Sequence, residues 1–340
     1  MTRESLDVVF PAPGDVELVR HAVPEPGPTE ITCRALASLV STGTETFCLA
    51  GDFEPGTFWQ EWVRFPFAPG YSLTAEVVAV GRDIGDVRVG DRVALPAPHA
   101  QYVTVPRDEA IVVPDGVRSE DACWASLAVT TQWGVRRTGL DLGESVGVIG
   151  LGLLGQLIVR YLRLSGARHI VAIDPDPARR EAALRGGATV AVADHAGAAH
   201  DAVRAETGGE LLDVAFDVTG HPVAFADTST LLRPHGRLVL VGDSPHPSQQ
   251  HLGPRIVADG ITIIGVHAST APERSSIHQR WTPAEMTALF FDHLRDGRLE
   301  VESLITHRAS PLDAPELYAA LREDRSRYLG VLFDWSAVPA

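Results

Sequence analysis

The hexapeptide Gly150-Leu151-Gly152-Leu153-Leu154-Gly155 constrains this chain more than any other stretch, because of what stands on either side of it. It follows the apolar run Ser145-Val146-Gly147-Val148-Ile149 and opens a helical pattern from Gln156 to Leu164. A lone G-x-G-x-x-G says little, but strand, glycine loop and helix in that order specify a site for a dinucleotide pyrophosphate. Each glycine has its own reason: Gly150 permits a tight turn, Gly152 lets the pyrophosphate reach the backbone, and Gly155 lets the helix pack on the strand. The N–H groups of the first helical turn, which carries Leu153 and Leu154, then face the negative charge. A second strand, His169 to Ile173, ends at Asp174, 19 residues beyond Gly155. A carboxylate there accepts hydrogen bonds from the ribose hydroxyls and repels a 2′-phosphate, which favours NAD(H). Arg179 keeps NADP(H) possible, since a nearby arginine can hold that phosphate; it reads equally as a solvated helix residue, like Arg180. Val218 and Gly242, at the ends of later strands, complete the expected cofactor-binding set.

Five short apolar strands, VGVIG, HIVAID, DVAFDVT, RLVLVGD and ITIIGVH, alternate with helical stretches such as LLGQLIVRYLRLSG and ARREAALRGG. That alternation predicts a doubly wound parallel sheet wrapped by helices. The first third has another texture. It is rich in proline and glycine, and AEVVAVG (75–81), DRVALP (91–96) and QYVTVP (101–106) alternate with turns, as in a compact, mostly β domain. The expected division is therefore 1–122 with 270–340 against 123–269, an α/β class with a second β domain. At 340 residues, with 45% hydrophobic and 21% charged side chains, the chain is long enough for two buried cores.

Composition excludes several classes of function. The formal charge of −15 argues against sequence-independent binding to nucleic acid or acidic membranes, both of which need a basic surface. All 29 cationic side chains are arginine, which removes Schiff-base chemistry, a lysine base and a P-loop lysine together. Cys33, Cys48 and Cys123 are far apart, so neither a disulfide framework nor a C-x-x-C metal lobe is expected. No apolar run approaches the roughly 18 residues of a membrane span, and the N-terminus lacks an apolar leader; the expected location is the cytoplasm.

Gly43-Thr44-Glu45, Pro69-Gly70, Val89-Gly90-Asp91-Arg92-Val93, the run His99 to Pro106 and the glycine loop together resemble the medium-chain dehydrogenase/reductase family over nearly the whole length. The resemblance implies a Rossmann domain joined to a GroES-like β domain, and a homodimer extended through the last strand, Ile261 to His267. It also implies where catalytic zinc would sit. At those positions this sequence has Thr42, Tyr71 and, near the third, Ala125, and the four-cysteine lobe is missing. A metal-free site is the resulting expectation, because zinc wants three nitrogen, sulfur or oxygen ligands. In these departures the chain looks like the zinc-lacking branch of the family.

Without zinc, another group must polarise the substrate oxygen while hydride moves. Thr44 falls where the family has its relay hydroxyl, and the usual relay histidine falls on Phe47. Tyr71 is expected to point its phenol into the vacated space, or else only to fill it. Glu45 would tune Tyr71 or orient a substrate hydroxyl, with a structural carboxylate as the even alternative. His267, ending the last strand, is a candidate acid/base near the nicotinamide or a packed histidine. His99 reads as a structural turn residue. Trp59, Trp62, Phe65 and Phe67 read equally as a substrate wall or as local core. The leading reading is a zinc-independent NAD(P)(H)-dependent enzyme interconverting a secondary alcohol and a ketone on a polar cyclic small molecule such as a sugar, polyol, cyclitol or aminosugar-like natural-product intermediate. A quinone or enoyl reductase of the same fold, and an NAD(P)H-binding protein without turnover, are the alternatives.

Overall fold

The computed structural model describes residues 3–339. The chain forms two units, Met1–Ser126 with Ala284–Ala340 and Leu127–Pro283. These limits differ from the expected 122/123 and 269/270, and side chains show why. Residues 270–283 are tied to the second unit, where Trp133 Nε1 donates to Thr270 Oγ1 at 3.0 Å and the Arg136 guanidinium lies 3.5 Å from the Trp281 ring centroid.

The first unit is built on the long strand Glu30–Val40, which pairs antiparallel with Leu73–Val80, Tyr102–Pro106 and Gly330–Asp334. The last of these brings the C-terminal run GVLFD beside the N-terminal sheet, with Phe333 opposite Ser38 and Val331 opposite Val40. Ile305–Ala309 continues the sheet on one side, and Arg92–Leu95 and Ile111–Val112 on the other. Because the central strand is covered on both faces, Ile31, Cys33, Leu39 and Val40 are all fully buried. Two short helices, Thr44–Ala50 and Phe58–Trp62, interrupt the chain between the central strand and Leu73–Val80. They put Thr44 and the Tyr71 segment close together.

The second unit is a six-stranded parallel sheet with spatial order Val190–Val192, His169–Ile173, Ser145–Ile149, Leu212–Asp217, Leu232–Leu240 and Thr262–Gly265. It is the expected doubly wound Rossmann sheet. The short strand Val190–Val192 carries too few residues to show a period in sequence. The chain order reverses between Ser145–Ile149 and Leu212–Asp217, and in open α/β sheets such a switch point, at the carboxyl ends of the strands, is where ligands bind. The last strand stops at Gly265, two residues short of the expected end, because His267 leaves the sheet to cap a short 3-10 turn.

Candidate functional site

The cofactor loop is made almost entirely of backbone. Gly150 has φ +90°, in the left-handed region, and its N–H donates to Ile173 O at 3.0 Å. A Cβ on Gly155 would fall 2.0 Å from Gly150 O, so only glycine lets the helix Leu153–Leu164 come this close to the loop. Gly152 differs: it is the residue capping the helix start, and a Cβ there would meet nothing within 4 Å. The first turn of a 12-residue helix thus presents unpaired N–H groups over an open backbone, a site for a pyrophosphate. Leu153 is buried under it, and Leu154 is half-buried.

Asp174 is 5% exposed, and both its oxygens are engaged: Oδ2 accepts from Leu151 N and Oδ1 from Asp176 N, each at 2.8 Å. Its first work is to hold the glycine loop; what remains for a ribose is the second lone pair of each oxygen. Arg180 donates to the carbonyls of Asp174 and Pro175 at 2.8 and 2.7 Å, and so braces the same turn. Arg179 is half-buried, with its carbonyl accepting from Gln156 Nε2 at 2.8 Å. Val218 N donates to Ile149 O at 2.9 Å, and Gly242 N to Asp217 O at 3.1 Å. A Cβ on Gly242 would lie 2.3 Å from Gly220 N, and one on Gly150 2.7 Å from Thr219 Cγ2. The loops after three strands therefore converge at the switch point. Sequence reading missed their hub, Asp217, whose Oδ1 accepts from the N–H and hydroxyl of Thr219 at 2.9 and 2.7 Å. Burial pushes its carboxyl above the usual range. The only signal for it was an acid closing an otherwise apolar strand.

In the first unit, the Tyr71 phenol reaches toward Thr44, with Oη to Oγ1 3.4 Å. Both residues are half-buried. Desolvation pushes the Tyr71 phenol up to about 12; hydrogen bonding to Ser41 and Thr44 works against that, and the nearby Glu45 charge adds to it. Across the neutral range Tyr71 is therefore a donor and not a base. Glu45 is 1% exposed. Its Oε1 accepts from Ser41 N at 2.7 Å, and its Oε2 faces His99 Nε2 at 3.1 Å and accepts from the Tyr318 hydroxyl. Orienting a substrate hydroxyl does not fit a carboxylate enclosed in this way; tuning Tyr71 does.

The aromatic run divides between the two expected readings. Trp59 and Phe67 are buried core, Trp59 stacking on Phe53 with centroids 5.7 Å apart. Trp62 and Phe65 are half-buried, and the Trp62 ring stands 6.4 Å from that of Tyr71. Phe47 lies edge-on to Trp59 at 5.7 Å. In the second unit His267 is exposed, and its Nδ1 lies 2.7 Å from Ser269 Oγ and accepts from Ser269 N at 3.3 Å. That nitrogen serves the turn.

The donors at the zinc positions do not suit the ion. Thr42 and Tyr71 offer neutral hydroxyls and Ala125 offers nothing. The buried Cys48 and Cys123 thiols are pushed well above their ordinary value by desolvation, and both ring nitrogens of His99 have protein partners. Zinc requires deprotonated sulfur, neutral imidazole or carboxylate ligands with an open position. Among the described residues no group of three or more His, Cys, Asp or Glu is arranged to hold a metal, and no helix is long and apolar enough to cross a membrane.

The second unit carries a glycine loop at the switch point of a parallel sheet, and the first carries paired hydroxyls on a mixed sheet, the fold and groups expected of a nicotinamide-dependent dehydrogenase. Comparison with known proteins agrees. Residues 154–282 match the family model described as Zinc-binding dehydrogenase. The chain is 26% identical to the L-threonine 3-dehydrogenase of Anaeromyxobacter dehalogenans (strain 2CP-C), over 92% of this chain and 93% of that one. It is also 26% identical to the sorbitol dehydrogenase of Bacillus subtilis (strain 168), over 62% and 69%. A zinc-binding dehydrogenase from Sinorhizobium meliloti 1021, bound to NADP, shares the fold with TM-score 0.80 at 21% identity, over 98% of this chain and 99% of that one. In sequence the chain is thus similar to zinc-binding-type dehydrogenases, and it shares their fold.

Proposed function

We propose that this protein is a zinc-independent NAD(P)(H)-dependent dehydrogenase or ketone reductase, interconverting a secondary alcohol and a ketone on a polar, ring-shaped small molecule. The observation that carries the reading is the Tyr71–Thr44 hydroxyl pair standing where the family has a metal ligand and a relay hydroxyl. The nicotinamide, when bound, supplies or accepts the hydride. In the reducing direction Tyr71, protonated throughout the neutral range, donates its O–H proton to the substrate oxygen as negative charge develops there. Thr44 passes a proton to the Tyr71 oxygen as it takes one from solvent, so both hydroxyls end protonated. In the oxidising direction the same two hydroxyls carry the proton the other way. His267 is the second candidate for the proton.

Relatives support a polar alcohol as the substrate. Threonine and sorbitol, named for two of them, are both alcohols with a polar group on the neighbouring carbon. An acidic overall charge mildly favours a cationic ring, as in an aminosugar-like intermediate. Asp174 at the strand end supports NAD(H) as the preferred cofactor, and Arg179 leaves NADP(H) available. The largely exposed edge strand Thr262–Gly265 supports a homodimer formed by sheet extension. A Tyr71→Phe variant tests the core of the reading: turnover of a probe polyol or hydroxy amino acid is expected to fall about 100-fold with cofactor affinity unchanged. Full turnover by that variant would remove Tyr71 from the mechanism.

A further inference from the structure

His99 has both ring nitrogens committed inside a buried polar network of the first unit, and it touches the segments that carry both hydroxyls. Its ring is fully buried, edge-on to Phe333 at 5.0 Å. Its Nε2 reaches Glu45, whose Oε1 accepts from Ser41 N while Glu45 N donates to Ser41 O at 2.9 Å. That reciprocal pair, built like a capping box, closes the turn that holds Thr44. On the other side, His99 N donates to Pro69 O at 2.8 Å. The ring and backbone of His99 also fill the space beside Gly70, where a Cβ would lie 2.8 Å from both Cδ2 and N. Tyr71 is the next residue.

The protons in the network have one consistent arrangement. Trp335 Nε1, a donor only, bonds Ser38 Oγ at 2.9 Å. Ser38 keeps its own proton for His99 Nδ1, 2.7 Å away. That arrangement aims the Nε2 proton at Glu45, which also receives the Tyr318 O–H and the Ser41 N–H. Every donor runs toward one carboxylate, and an unpaired member would be costly at this depth.

We infer that His99, with Tyr318, is a positioning residue that holds the Thr44 and Tyr71 hydroxyls in register through Glu45 and Gly70. This rests on the proposed role of that hydroxyl pair. Catalytic gain from placing a donor is steep in distance, so a small displacement of Tyr71 is enough to cost turnover.

The test uses the full chain with 13Cζ-labelled tyrosine, whose five tyrosines give five resonances. Tyr71→Phe and Tyr318→Phe assign two of them. His99→Phe keeps a ring beside Phe333 and removes both nitrogens. The expected result is a Tyr71 resonance displaced by more than its linewidth, with Tyr102, Tyr161 and Tyr328 in place, and a smaller displacement of Tyr71 in Tyr318→Phe. A Tyr71 signal that stays put in both variants overturns the inference; if His99→Phe does not fold, the Tyr318→Phe spectrum decides. Turnover of sorbitol and L-threonine with NAD+ and NADP+ gives a second readout. His99→Phe is expected to lose about tenfold or more alone and nothing further on a Tyr71→Phe background, whereas an additive loss would mean that His99 only supports the fold. Undiminished turnover in Tyr71→Phe would end the proton-handling reading and leave the spectra to judge the coupling. Lost turnover there, with an unmoved Tyr71 signal in His99→Phe, would overturn the positioning role alone.

Discussion

The glycine loop and the hydroxyl turn do their work by opposite means. The loop is a short run of consecutive residues whose backbone is the binding surface, and its side chains are chiefly notable for being absent. The hydroxyl turn depends on partners far along the chain: Tyr71 is 27 residues from Thr44, His99 is 54 from Glu45, and Tyr318 is 273 from it. One site is specified by local conformation, the other by the closed sheet of its unit. Substitutions should therefore fail differently in the two places.

The largest effect is expected inside the loop. Gly155→Ala sets a Cβ 2.0 Å from Gly150 O, and a loss of about 3 kcal/mol or more in denaturant stability is expected together with loss of cofactor binding. Gly152→Ala should separate the two properties. Its Cβ meets no protein atom, so the melting temperature should hold while NADH affinity, read by fluorescence titration, falls about tenfold or more as the methyl blocks the pyrophosphate. Equal destabilisation by both alanines would show that the loop is not a backbone surface.

At the hydroxyl turn, Gly70→Ala is the counterpart. It combines φ +97° with a Cβ 2.8 Å from His99 N, and should reduce turnover more than it reduces NADH binding. A pH effect of a different kind follows for Tyr71. Its folded-state phenol titrates near 12 against an ordinary 10.0, so the folded form holds its proton more tightly than the unfolded one. Stability is unaffected below pH 10 and falls as pH rises from there toward 12. In Tyr71→Phe that alkaline fall should be shallower in chemical denaturation; an unchanged slope would place the phenol in water.

The smallest effect lies away from both sites. Burial raises the Asp121 carboxyl to about 6, with Glu302 and Glu120 adding to it and Arg118 opposing. The unfolded chain loses that proton first, so stability falls as pH rises from about 4 to 6. Asp121→Asn should be about 1 kcal/mol more stable than the native chain at pH 7 and equal to it near pH 4. No gain at pH 7 would mean that Arg118 fully compensates the charge.

The same contrast explains what was legible in the sequence. The strands, the loop and the reason for each of its glycines could be read, because local periodicity and φ requirements determine them. The double duty of Asp174 could not, since nothing in its spacing shows that Leu151 N and Asp176 N already occupy it. Tyr71 and Thr44 were chosen by position against a family pattern, which does not show that their hydroxyls lie 3.4 Å apart. For Glu45 the structural alternative fits and the substrate role does not, because it is enclosed by His99, 54 residues on, and by Tyr318 on the C-terminal helix. Gly70 was read only as part of a family motif, and its spacing does not show that its neighbour is the ring of His99.

The central claim is that hydroxyl groups, and not a metal, handle the substrate oxygen. The most direct measurement is zinc content per chain in enzyme actively turning over a probe alcohol, before and after dialysis against a chelator. The account predicts far less than one zinc per chain and undiminished turnover after chelation. One zinc per chain, with activity lost on its removal and restored on its return, would contradict it.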